Sequence, residues 1–135
     1  MERCAEADPL STKAALSATA RLYLGEHDPR DPQVSPLFGD LAGLPPIRVH
    51  VGEDEILLDD SVRYGERLEN DGGTIQVHTW QGMTHVFPSS VSLLQAAKEA
   101  LDDIGDFLRQ QLLGEANHTT TDNNPQTYQL EKSTI

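Results

Sequence analysis

Residues 47–87 read IRVHVGEDEILLDDSVRYGERLENDGGTIQVHTWQGMTHVF, and this stretch decides the fold. Ile47, Val49 and Val51 alternate with Arg48 and His50, the period of a half-buried strand, and Gly52 ends the run. The spacing then lengthens. Leu57, Leu58, Val62, Gly65 and Leu68 recur every three or four residues, which predicts a helix closed by Asn70-Asp71-Gly72-Gly73. Thr74 to Trp80 is β-branched and alternating again, a second strand. A strand, helix and strand of this length form a unit in which the two strands run parallel and the crossover is right-handed.

Outward from this unit the chain stays α/β. From Ser11 to Leu24, Leu16, Ala20 and Tyr23 fall at helical spacing, with Ser11 or Thr12 to cap and Gly25 to stop the helix. His27 to Pro46 carries five prolines and several aspartates, so regular structure is excluded there. Leu37, Phe38, Leu41 and Leu44 give that loop apolar anchors. Beyond the second strand, Val91, Leu94, Leu101, Ile104, Leu108 and Leu112 mark a long amphipathic helix. Two parallel strands make a poor independent sheet, because such a pair wants neighbours on its edges and helices on both faces. The expectation is therefore the C-terminal part of a larger doubly wound domain over residues 1–113, with an incomplete sheet. Residues 114–135, rich in Asn, Thr and Gln, are expected to form a disordered polar tail.

Composition narrows the partners. Twenty-two acidic against ten basic side chains give a formal net charge of -12, which repels nucleic acid and anionic lipid. No apolar run is long enough to span a bilayer. Cys4 is the single cysteine and can form no internal disulfide, so a reduced, cytoplasmic setting is the default expectation. Asn117-His118-Thr119 matches a glycosylation sequon, a triplet that arises often by chance, and nothing else points to secretion.

In open α/β sheets ligands gather outside the carboxyl ends of the strands. After the first strand comes Glu53-Asp54-Glu55, then Asp59-Asp60-Ser61 at the start of the helix. The latter three read as helix caps and dipole partners. The former are too many for capping alone, so at least one should have a partner. The second strand runs into Gln81-Gly82-Met83-Thr84-His85-Val86-Phe87, which places His85 at the same end of the sheet. From the residues alone two readings stand: a base oriented by a neighbouring carboxylate, or a surface-loop histidine in an ordinary hydrogen bond. His27, His50, His78 and His118 lack such a setting, and His50 and His78 fall on a strand face. No helical histidine pair or Cys-His spacing supports a metal.

The stretch HDPRDPQVSPLFGDLAGLPPIRVHVGEDEILLDDS (residues 27–61), followed by VHTWQGMTHVFP (residues 77–88), resembles the C-terminal half of hormone-sensitive-lipase-like esterases of the α/β-hydrolase fold. Ser35-Pro36, Leu44-Pro45-Pro46, the acid after the glycine, and the Gly82-Met83-x-His85-x-Phe87 loop occur in that family's order. The likeness covers roughly residues 8–112. It implies a catalytic triad in which His85 is the base and Glu55, four residues ahead of Asp59, is the acid, with Asp54 as the alternative acid. Many relatives have aspartate followed by proline there, where this chain has Glu55-Ile56. The family's nucleophile sits in a Gly-x-Ser-x-Gly elbow and its oxyanion donors in a His-Gly-Gly loop. The 135 residues contain neither.

The resemblance thus implies part of a serine carboxylesterase that needs no metal or organic cofactor and acts, when intact, on a small-molecule ester. The rival expectation is a non-catalytic remnant of the fold that binds a small ligand or self-associates through an exposed sheet edge.

Overall fold

The computed structural model describes Asp8 and residues 11–114. The tail expected over 114–135 lies, Gly114 excepted, outside the described residues, as does the sequon at Asn117. Helix α1 (Lys13–Leu24) starts where the Thr12 side chain accepts the Ala15 amide, and stops where Gly25 donates its amide to the Arg21 carbonyl. The proline-rich loop follows as a series of turns with one short 3₁₀ turn at Pro36–Phe38. Of its four apolar anchors Leu41 reaches the core, while Phe38 and Leu44 stay exposed.

Strand β1 (Ile47–Gly52), helix α2 (Leu58–Asn70) and strand β2 (Ile75–Trp80) form the expected unit. The strands pair in parallel from Ile47 opposite Ile75 to Gly52 opposite Trp80. Alternation sorts their side chains onto two faces. Ile47, Val49, Ile75 and Val77 face α2 and pack with Leu68, Tyr64 and Leu41. Fully burying a leucine such as Leu68 contributes about 1.5–3 kcal/mol. At Gly65 the helix comes so near the sheet that an added Cβ would lie 3.0 Å from Val77 Cγ2.

Helix α3 (Gln95–Leu113) covers the opposite face. It starts four residues later than the apolar pattern suggests, because Phe87–Ser90 closes into a 3₁₀ turn and Leu94 is extended. Its inner face also differs from the leucine stripe read in the sequence. Ala97 and Ala100 are the residues buried against Trp80 and Phe87, whereas Leu94, Leu101, Leu108 and Leu112 are exposed. Small residues let the helix approach two large rings, and a sheet of two strands is too narrow to cover the rest. Among the described residues no helix is long and apolar enough to cross a membrane.

Candidate active site

Parallel pairing brings the loops after β1 and β2 to one end of the sheet, and Gly52 lets them touch. A Cβ on Gly52 would lie 2.1 Å from the Met83 carbonyl oxygen, so only glycine fits at this crossing. Two backbone bonds then tie the loops together, and a third closes the turn after β2. The Glu53 amide donates to the Trp80 carbonyl (2.9 Å), the Asp54 amide to the Met83 carbonyl (3.0 Å), and the Met83 amide to the Trp80 carbonyl (3.2 Å).

Within this frame Glu55 turns inward and is only 5% exposed. Its Oε2 accepts the Gly52 amide at 2.8 Å, which leaves Oε1 to accept from His85 Nδ1 at 3.2 Å. The pairing assigns the ring hydrogen: a carboxylate only accepts, so Nδ1 donates and Nε2 is left for another group. The imidazole is 41% exposed and therefore reachable from outside. Val86, next along the chain, has φ 59 and ψ 22, a left-handed conformation that a β-branched residue adopts only under constraint. Buried Phe87, packed on Trp80 with ring centroids 5.5 Å apart, supplies that constraint. Asp54, the alternative acid, is half-buried and is joined to the histidine loop through its backbone amide. Asp59 and Asp60 lie in the first turn of α2, where they complement its dipole; the capping position is Leu57, without a side-chain cap.

Two features of the site escape a reading of the sequence. The first is Asp8, 7% exposed, whose Oδ2 accepts the Ile56 amide at 3.0 Å. The second lies under α3. His50 and His78 are opposite each other in the sheet, with ring centroids 5.0 Å apart, and Asp103 of α3 approaches them. Asp103 Oδ2 lies 3.0 Å from His50 Nε2 without hydrogen-bond alignment, and Asp103 Oδ1 accepts from Arg48 at 2.8 Å. Burial, followed by the neighbouring His78, pushes the His50 pKa down to about 4 against the opposing pull of Asp103. Burial lowers that of His78 as well.

The donor atoms of His50, His78 and Asp103 lie within 4.8 Å of one another, a spacing that a divalent ion could bridge. Two observations argue against that use. Trp80 Nε1 donates to His50 Nδ1 at 2.9 Å, so the neutral ring carries its hydrogen on Nε2 and has no lone pair there for a metal. The Arg48 guanidinium already supplies the cation beside Asp103. The cluster fastens α3 to the sheet.

A family model described as the alpha/beta hydrolase fold matches residues 1–89, and the chain belongs to that family. Its curated relatives include esterases and acetyl-hydrolases, and the solved structures it resembles include members of the hormone-sensitive-lipase family. An esterase of Acinetobacter venetianus is 44% identical over 101 residues, which is 74% of this chain and 33% of that protein. An acetyl-hydrolase of Streptomyces hygroscopicus is 36% identical over 96 residues, 71% of this chain and 32% of that protein. A crystal structure of a hormone-sensitive lipase from a metagenome library superposes with a TM-score of 0.79 at 32% identity, covering 82% of this chain and 38% of that one. The chain thus spans about a third of the length of the curated relatives it matches.

Proposed function

We propose that this chain supplies the acid and the base of a Ser-His-Glu triad in a carboxylic-ester hydrolase, with Glu55 as acid and His85 as base. The observation that carries the reading is the 3.2 Å pair between a buried glutamate and a half-exposed histidine at the carboxyl ends of adjacent parallel strands. In the intact enzyme a serine hydroxyl attacks the ester carbonyl while His85 Nε2 takes its proton. Glu55 stabilises the imidazolium through Nδ1. The tetrahedral intermediate collapses, the imidazolium gives its proton to the departing alcohol, and water then releases the acid by the same sequence in reverse. No step needs a metal or an organic cofactor. The name of the Streptomyces relative, an acetyl-hydrolase, supports a short acyl group.

The sequence contains no Gly-x-Ser-x-Gly elbow, so the 135 residues alone should hydrolyse p-nitrophenyl acetate no faster than their His85→Ala variant. Fusing the part of the Acinetobacter esterase that lies outside the match to this chain should restore hydrolysis that His85→Ala abolishes. A soluble, folded fusion with no His85-dependent turnover would defeat the proposal.

A second reading rests on the exposed side chains. Leu22, Tyr23, Leu93, Leu101, Leu108 and Leu112 are each at least 42% exposed, and each strand has one unpaired edge among the described residues. The isolated chain should therefore self-associate.

A further inference from the structure

We propose that Asp8 is a positioning residue for the Glu55–His85 pair: by accepting the Ile56 amide, it fixes the turn that presents the Glu55 carboxylate to His85. The inference rests on the triad reading and extends it to a residue 48 positions from the amide it holds. The loop after β1 is tied to the β2 loop through the amides of Glu53 and Asp54, and its own turn is closed by the Leu58 amide on the Glu55 carbonyl at 3.2 Å. The amide that follows Glu55 belongs to Ile56, which is 1% exposed and out of reach of water. Asp8 Oδ2 meets it at 3.0 Å, and Oδ1 accepts the Ser11 amide at 3.0 Å.

A buried carboxylate is retained in a fold when it is hydrogen-bonded, and a charged acceptor makes a shorter and stronger bond than a neutral one. The position of the bond gives it leverage on the pair. Rotating the peptide between Glu55 and Ile56 swings the Glu55 side chain about its own backbone, and Oε1 must stay within hydrogen-bonding distance of Nδ1. The Gly52 amide holds Oε2 from one side, and the Asp8 carboxylate holds the backbone from the other. Asp8 thereby enters the geometry of a pair whose members both lie beyond it in the chain.

The test uses the full chain labelled with ¹⁵N-histidine and reads the His85 ring nitrogens where the ring is neutral, together with exchange of the Ile56 amide. In the wild type the hydrogen sits on Nδ1. Asp8→Ala should shift the ring toward the Nε2–H form as far as Glu55→Ala does and speed Ile56 exchange at least tenfold. Asp8→Asn keeps a neutral oxygen and should fall between the wild type and Asp8→Ala. A merely structural anchor would lower the melting temperature without moving the tautomer. If Glu55→Ala shifts the ring and Asp8→Ala does not, the positioning role is overturned and the pair stands. If Glu55→Ala leaves the ring unchanged, the pair is not formed, and the triad reading falls together with the inference. Should Asp8→Ala not fold, Asp8→Asn decides: a partial tautomer shift with faster Ile56 exchange supports the role, and an unshifted tautomer overturns it whatever the exchange rate.

Discussion

Replacing Gly52 by alanine should break the crossing on which the site is built. The new Cβ would lie 2.1 Å from the Met83 oxygen and 2.6 Å from its carbonyl carbon, both backbone atoms that no side-chain rotation can move. Ordinary contact begins near 3.4 Å, so the histidine loop must retreat by about 1.3 Å. That retreat opens the 3.0 Å bond from the Asp54 amide to Met83 beyond hydrogen-bond range. Overpacking costs about 1–3 kcal/mol and each lost bond about 1 kcal/mol more, so the loss should be about 2–4 kcal/mol. Urea denaturation measures it, and exchange of the Asp54 amide locates it. Gly105→Ala is the control: it lies within α3 with nothing inside 4 Å of its added Cβ, and should stabilise by about 0.5–1 kcal/mol. If Gly52→Ala unfolds within 0.5 kcal/mol of the wild type, roughly the scatter of harmless surface changes, with Asp54 exchange unaltered, the account of the crossing is wrong.

Three other outcomes are expected. Because the His50 pKa falls from its ordinary 6.5 to about 4 on folding, the unfolded chain binds a proton that the folded chain refuses between those values. Stability is therefore complete above about pH 6.5 and lost as pH falls toward 4, by at most about 3 kcal/mol; denaturation midpoints across that window should slope less in His50→Gln, and equal slopes would contradict the assignment. Leu68→Ala empties a fully buried position between α2 and the sheet and should cost about 2–5 kcal/mol in the same assay, whereas a loss under 1 kcal/mol would mean that this core is not packed as described. Sedimentation of the wild-type chain should show dimers or larger species, and a monodisperse monomer would refute self-association through the uncovered leucines.

Most of the fold is legible in the sequence because the signals are local and periodic. The alternation at Ile47-Val49-Val51 and the three-to-four spacing from Leu57 to Leu68 each leave one physical option, and the parallel crossover follows from their order. The inner face of α3 is less legible. Leucines at helical spacing outweigh Ala97 and Ala100 on any apolar scale, yet the small side chains fit beneath Trp80 and Phe87. Parallel strands also bring the acidic loop and the His85 loop to one end, so their meeting can be read from topology. Asp8 and Asp103 could not be found that way. Each meets its partner across a long separation, 48 residues from Asp8 to Ile56 and 55 from Arg48 to Asp103, with no periodicity to link them.

Whether Glu55 orients His85 for catalysis is measured by comparing acid substitutions in the active fusion. Steady-state hydrolysis of p-nitrophenyl acetate should fall about 10⁴-fold in kcat for Glu55→Gln, as for loss of the acid in other serine triads. Asp54→Asn should leave kcat within about threefold, since its carboxylate is not the one paired with His85 and such a change is worth under 1 kcal/mol. A large loss for Asp54→Asn with near-normal turnover for Glu55→Gln would contradict the account and move the acid to Asp54.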